Sequence, residues 1–134
     1  MNVKGGYILY RIGEFSKITG VSVRTLRYYD EIDLFKPIEI DLFTSYRYYS
    51  EEQIEDLNII NDLKNCGFSL DEIKLYWNHF SNDVMLEKKK QLLKEIDDVE
   101  QKIRRLDYLR NNIVNGKFCY KERIQMVKSK SLFN

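Results

Sequence analysis

Histidine is almost missing from this sequence, with His79 the single copy in 134 residues. No cysteine, carboxylate or serine stands around it at a known spacing, so neither a catalytic triad nor a histidine-based metal site can be argued. His79 reads as a helix-end or packing residue near Trp77 and Phe80. Cysteine is scarce too: Cys66 and Cys119 stand far apart, in no CxxC and beside no cluster of ligands, and read as two ordinary thiols. Gly5 and Gly6 precede no GK[ST] and follow no recognisable strand, so a phosphate-binding loop is missing as well. An enzyme is therefore not expected, and no cofactor or metal site is implied. Neither sign of charge is in excess, with 22 Lys and Arg against 21 Asp and Glu, so any basic surface must be local. No stretch approaches the roughly 18 apolar residues of a membrane span. The start "MNVKGGYILYRIGEF" lacks a signal-like apolar core with a small-residue cleavage site, so the protein is expected to be cytoplasmic with no membrane partner.

What is present is 43% apolar and 32% charged residues, with a mean hydropathy of -0.50. That composition suits a soluble helical protein with a core, as one ordinary domain or a small domain plus a long extended element.

In "YRIGEFSKITGVSVRTLRYYD" the apolar residues Ile12, Phe15, Ile18, Val21, Val23 and Leu26 fit two helical stretches separated by Gly20. Gly20 suits the left-handed residue that ends a helix, and Ser22 is a good N-cap for the next. Two short helices with Val21 tucked between them make a helix-turn-helix. Pro37 stops the helical period, and in "FKPIEIDLFTSYRYYS" Ile38 and Ile40, then Tyr46 and Tyr48, alternate across a turn near residues 41–45. The expectation is a two-stranded wing. Ser50 with Gln53 and Ser69 with Glu72 have capping-box spacing, so helices should begin near Glu51 and Leu70. Ile54, Leu57, Ile60 and Leu63 give the first its apolar stripe.

Between about Asn82 and Asn115 there is no Gly or Pro, and Met85, Leu92, Ile96, Val99, Ile103, Leu106 and Ile113 follow a three-four spacing once Lys89 and Arg110 are counted in. That predicts a heptad seam about 50 Å long, ended by Gly116. The compact N-terminal part is too small to cover such a seam, and self-association is the simplest partner; the alternative is a helix folded back on its own domain. The dimerisation residues expected are Leu92, Ile96, Val99, Ile103, Leu106 and Ile113. The tail beyond is basic, with Lys117, Lys121, Arg123, Lys128 and Lys130 against Glu122.

At 100° per residue, Arg24, Thr25 and Tyr28 project to one side of the second helix, and Val23 and Leu26 to the other. An arginine near the start of such a helix can fork onto guanine O6 and N7, and a tyrosine can reach a phosphate. Arg27 points to the flank, where it can bond a phosphate or pair with Asp30 or Asp33. Tyr29 faces the core. The wing stretch "TSYRYY" adds a second basic, hydroxyl-rich cluster, and phosphate contacts from both sides fix the register of such modules.

The stretches "YRIGEFSKITGVSVRTLRYYDEIDLFKP" and "TSYRYYSEEQIEDLNIINDLKNCGFSLDEIK", followed by the heptad helix, resemble the MerR family of transcription regulators over about Tyr10 to Asn115. "DLFKP" and "TSYRYY" are most similar to its multidrug-responsive branch. The resemblance implies a mainly α fold: a winged helix-turn-helix DNA-binding domain with a connecting helix pair (8–80), an antiparallel coiled-coil dimerisation helix (82–116), and a basic tail or the start of an effector region (117–134). It implies a homodimer on double-stranded promoter DNA, bound to a pseudo-palindromic operator in an overlong spacer. Activation would come from bending and untwisting that DNA for the RNA polymerase on the same promoter. Carried over by position, Arg24 and Thr25 fall on the groove-facing side of the recognition helix and Tyr28 on a phosphate contact. Tyr46 and Arg47 fall on the wing, and Lys64 on the helix that reaches the backbone near the dyad. With Ser22 and Arg27 these are the candidate DNA-binding residues.

Metal-sensing relatives place a cysteine at the start of the long helix, where this chain reads "SNDVML", and redox-sensing ones a cysteine cluster after it, where only Cys119 stands. Metal or iron-sulfur sensing is not expected. Drug-responsive relatives carry an effector domain after the coiled coil, and this chain stops roughly where that domain would begin. It is either a regulator with a short tail or an N-terminal fragment, and a small-molecule inducer is compatible with both. A reading from another class is a coiled-coil adaptor that does not bind DNA.

Overall fold

The computed structural model describes residues 2–119. The basic tail beyond Cys119 lies outside the described residues. The chain divides into two compact units that meet in sequence between Val84 and Met85.

The first unit opens with strands β1 (Asn2–Lys4) and β2 (Tyr7–Arg11), then helices α1 (Ile12–Thr19) and α2 (Val23–Glu31). Strands β3 (Glu39–Ile40) and β4 (Arg47–Ser50) follow, then α3 (Glu52–Asn65) and α4 (Leu70–Tyr76). Gly20 ends α1 in the left-handed region at φ 75°, its N–H bonded to Ser16 O, and Ser22 Oγ accepts from Thr25 N–H at 3.0 Å to cap α2. Both ends of the turn are as the sequence dictates.

The expected two-stranded wing is part of a larger sheet. β3 and β4 pair antiparallel, and β2 adds to the other edge of β4 and β1 to β2, giving the order β1-β2-β4-β3. Gly5 and Gly6 do follow a strand, contrary to expectation: at φ 60° and 83° they form the two-residue turn of the β1–β2 hairpin. Pairing Tyr10 with Tyr49 seats β4 on the core, where the Tyr49 ring stacks on Phe15 at 4.5 Å and on Phe35 at 5.8 Å. Leu26 and Tyr29 from α2, Leu57, Ile60 and Leu63 from α3, and Ile73 from α4 complete that core. Ile54 is half-buried against it, while Ile18 of α1 is exposed.

α3 begins one residue later than its capping spacing suggests. Gln53 Oε1 accepts from Ser50 N–H at 3.0 Å, but Ser50 Oγ is buried without a hydrogen-bond partner and Glu51 occupies the N-cap position. The Ser69 and Glu72 box is complete in both directions. His79 is exposed in the turn after α4, its N–H bonded to Tyr76 O.

Helix α5 (Asn82–Arg110) supplies most of the second unit. Along it Leu92, Ile96, Val99, Ile103 and Leu106 are all exposed. The helix stops earlier than expected, and Ile113 is not on it: Ile113 and Val114 form strand β5, paired with β6 (Lys117–Phe118). Asn115 and Gly116, at φ 49° and 79°, are a hairpin turn and not a helix end. Asn112 anchors this hairpin, donating from Nδ2 to Tyr108 O at 2.6 Å while its own carbonyl accepts from Cys119 N–H. No helix among the described residues is long and apolar enough to cross a membrane.

Candidate nucleic-acid interface

The outer face of α2 carries Arg24, Arg27 and Tyr28 exposed, with Thr25 half-buried, along an open concavity of about 610 Å³ that also meets Glu31. Thr25 Oγ1 accepts from the Ser22 hydroxyl at 2.9 Å, so these two residues define the N-terminal edge of that face. Tyr29 is 1% exposed, as its register requires.

The sequence left two roles open for Arg27, a phosphate contact or a pair with Asp30 or Asp33, and the structure gives those two acids other partners. Asp30 Oδ2 is held by Arg47 Nε at 2.9 Å and Oδ1 by Lys36 Nζ at 3.1 Å. Asp33, at φ 58°, is held by the same lysine at 2.8 Å. Arg27 makes no ion pair among the described residues and faces outward.

These contacts also finish the C-terminal end of α2. No basic residue lies in its own last turn, so lysines from elsewhere meet its negative pole. Lys36 Nζ donates to Asp30 O at 3.2 Å and Lys74 Nζ from α4 to Ile32 O at 2.9 Å. Burial opposes the charge on Asp30, but the hydrogen bonds from Arg47 and Lys36 outweigh it and hold the carboxyl below its ordinary range. Asp33 is likewise held low by Lys36, whose own ammonium is pushed up by Asp33 and then Asp30.

Arg47 therefore has a structural duty that its expected role as a wing contact did not include. It is half-buried and bolts β4 to the end of α2. With Arg11, Glu14, Lys17, Arg27, Ser45 and Tyr46 it lines a concavity of about 410 Å³ beside the first turn of α1. Four cations and two hydroxyls against the single carboxylate of Glu14, which accepts from Arg11 N–H at 3.3 Å, leave a net positive setting that suits a phosphate. Arg11 was not singled out by the sequence; its guanidinium lies 3.8 Å from the centre of the half-exposed Tyr46 ring and holds that tyrosine in place. Only its alternation with Tyr10 hinted at a strand position facing the wing. Lys64 on α3 donates to the Tyr29 hydroxyl at 3.0 Å. It thus braces the back of α2, away from the Arg24 and Arg27 row.

Comparison with known proteins follows the same lines. The family model for the MerR HTH family regulatory protein matches residues 10–79, and that for MerR, DNA binding, matches residues 54–115. The multidrug-efflux transporter 1 regulator of Bacillus subtilis (strain 168) is 54% identical over 65 residues, which are 48% of this chain and 23% of that protein. The HTH-type transcriptional activator mta of the same organism is 36% identical over 101 residues, 73% of this chain and 39% of that protein. The chain thus spans well under half the length of these curated relatives. Among solved structures, MtaN, the N-terminus of the Bacillus subtilis multidrug transporter activator, is similar with a TM-score of 0.68 at 35% identity, covering 74% of this chain and 95% of that one. A chain of the EcmrR–DNA complex in EcmrR-RPo is similar with a TM-score of 0.68 at 31% identity, over 77% of this chain and 39% of that one.

Proposed function

Because the chain belongs to the MerR family of helix-turn-helix regulators, we propose that it binds promoter DNA as a homodimer and regulates transcription there. The observation that carries this reading is the division of charge on α2: Asp30 and Asp33 at its end are engaged by Arg47 and Lys36, while Arg24 and Arg27 on its outer face pair with no acid among the described residues. Glu31 stays exposed at the far edge of that face, so the two open arginines outnumber the one open acid, and the balance favours a polyanion. Arg24 and Thr25 read base edges, Ser22, Arg27 and Tyr28 hold flanking phosphates, and Tyr46 with Arg47 holds a further phosphate at the wing. Lys64 reaches the backbone near the dyad, with one N–H of its ammonium given to the Tyr29 hydroxyl and the others left for a phosphate.

The exposed row Leu92, Ile96, Val99, Ile103 and Leu106 on α5 supports pairing with a second copy as an antiparallel coiled coil, which places two reading heads on a pseudo-palindromic operator. Activation then follows from bending and untwisting a spacer too long for RNA polymerase. The relatives named as multidrug-efflux regulators make a small-molecule inducer a natural extension of this reading.

Transcription in vitro from the protein's own promoter tests this proposal. Activation should be strong on an overlong spacer and vanish, or turn to repression, when the spacer is shortened to the optimum for the polymerase alone. Equal activation at both lengths contradicts distortion as the mechanism.

A further inference from the structure

The turn between β3 and β4 presents Leu42 and Phe43 at 94% and 99% exposure, the two most exposed large apolar side chains among the described residues. Water should disfavour such a pair, and the loop that carries them is firmly built. Asp41 Oδ1 accepts from Phe43 N–H at 2.8 Å and from Thr44 N–H at 3.1 Å, Ser45 N–H donates to Asp41 O at 2.8 Å, and Asp41 N–H donates to Tyr46 O at 2.9 Å. Those bonds also turn the Asp41 carboxylate toward its own backbone. A fixed apolar tip loses little freedom when it inserts into a partner.

The neighbourhood says which partner. Phe43 stands four residues from Arg47, no more than about 13 Å along an extended chain, and the base of the wing is the concavity where Arg11, Lys17, Arg27 and Arg47 outnumber the one acid, Glu14. If a phosphate sits there, the tip lies within reach of the adjacent groove. We propose that Phe43, supported by Leu42, is an apolar wedge that inserts between base steps of the DNA minor groove beside the wing and helps to bend it, as apolar side chains do in architectural proteins. The wedge rests on the DNA-binding reading above. It gives the bending a local source within the reading head, in addition to the pairing of two heads.

The test uses the full chain and duplexes from the DNA upstream of its own coding sequence, with binding read first by gel shift. In Phe43→Trp the added indole is read, with excitation selective for tryptophan, against the wild type, whose single tryptophan is Trp77. On addition of duplex its emission should fall and its accessibility to acrylamide drop severalfold, as for a ring stacked on bases. Phe43→Ala should weaken binding about tenfold, the scale of one lost base–aromatic stack. Its salt dependence should stay unchanged, because an apolar contact releases no counterion. An indole as accessible in the complex as in the free protein, or a Phe43→Ala affinity equal to wild type, overturns the wedge and leaves the DNA reading standing. A Phe43→Ala protein that binds normally yet loses transcription assigns the tip to a protein partner and overturns the wedge too. No shift by wild type even at low salt, where sequence-independent phosphate binding would register, overturns both.

Discussion

Asp30 at the end of α2 and Arg47 at the start of β4 meet at 2.9 Å across 17 residues of sequence, joining the second helix of the helix-turn-helix to the wing. Asp30 is also bonded by Lys36, so removing its charge leaves two cations facing a neutral group. Asp30→Asn should cost about 1–2 kcal/mol at neutral pH, the scale of charged hydrogen bonds moderated by the exposure of both cations. The pH dependence has a definite sign. A carboxyl held below its ordinary range contributes stability that is present above its unfolded value, near pH 4, and is lost as pH falls through its lower folded value. Denaturant melts of wild type and Asp30→Asn should therefore converge in acid, and a constant gap down to the lowest pH would assign the effect to packing.

Tyr49 supplies a second prediction, at the other end of the pH scale. Its hydroxyl is buried without a hydrogen-bond partner, and burial, reinforced by the nearby Asp30 charge, pushes its pKa up to about 12. Below its unfolded value near 10 the phenol is neutral in both states, and as pH rises from there toward the folded value its ionisation favours the unfolded chain and stability falls. Tyr49→Phe should keep the ring stack with Phe15, match or exceed wild-type stability by up to about 1 kcal/mol, and reduce the alkaline loss. A melting temperature well below wild type would mean that the hydroxyl has a partner in solution.

Much of this arrangement was legible in the sequence because it is local. Gly20 and Ser22 announced the turn, Ser69 and Glu72 the start of α4, and Leu57, Ile60 and Leu63 the buried side of α3. What was missed depends on partners distant in sequence, or on turn signals outweighed by a longer pattern. The Arg47–Asp30 bond and the Arg11–Tyr46 stack need the sheet to close before either pair exists. Gly5 and Gly6 carried a hairpin signal, but a three-residue strand before them shows no period. Asn115 and Gly116 are a strong turn pair, yet Ile113 fell in heptad register and extended the seam three residues past Arg110.

The proposed phosphate contacts can be tested by salt dependence. Arg27→Ala and Arg47→Ala should each lower the slope of log affinity against log salt by about one unit. Arg47→Ala alone should also destabilise the fold, because only it breaks the Asp30 pair. Equal melts for the two variants would contradict that division of duties.

Self-association is checked on α5. Val99→Asp with Ile103→Asp places two charges in the exposed apolar row, and sedimentation should report a monomer where wild type is a dimer. Binding to a two-half-site operator should fall at least about a hundredfold, since the second head no longer adds effective concentration. A dimer in the double variant would move the interface elsewhere.

Footprinting of wild type and Arg24→Ala over the upstream DNA, repeated with every base pair of one half-site changed in turn, tests the central claim most directly. Wild type should protect a two-fold symmetric site, and Arg24→Ala should lose discrimination at one base pair per half-site, about 1–3 kcal/mol, while keeping the remaining preferences. Uniform weakening across all sequences, or no symmetric protection by wild type, would contradict a base-reading role for the outer face of α2.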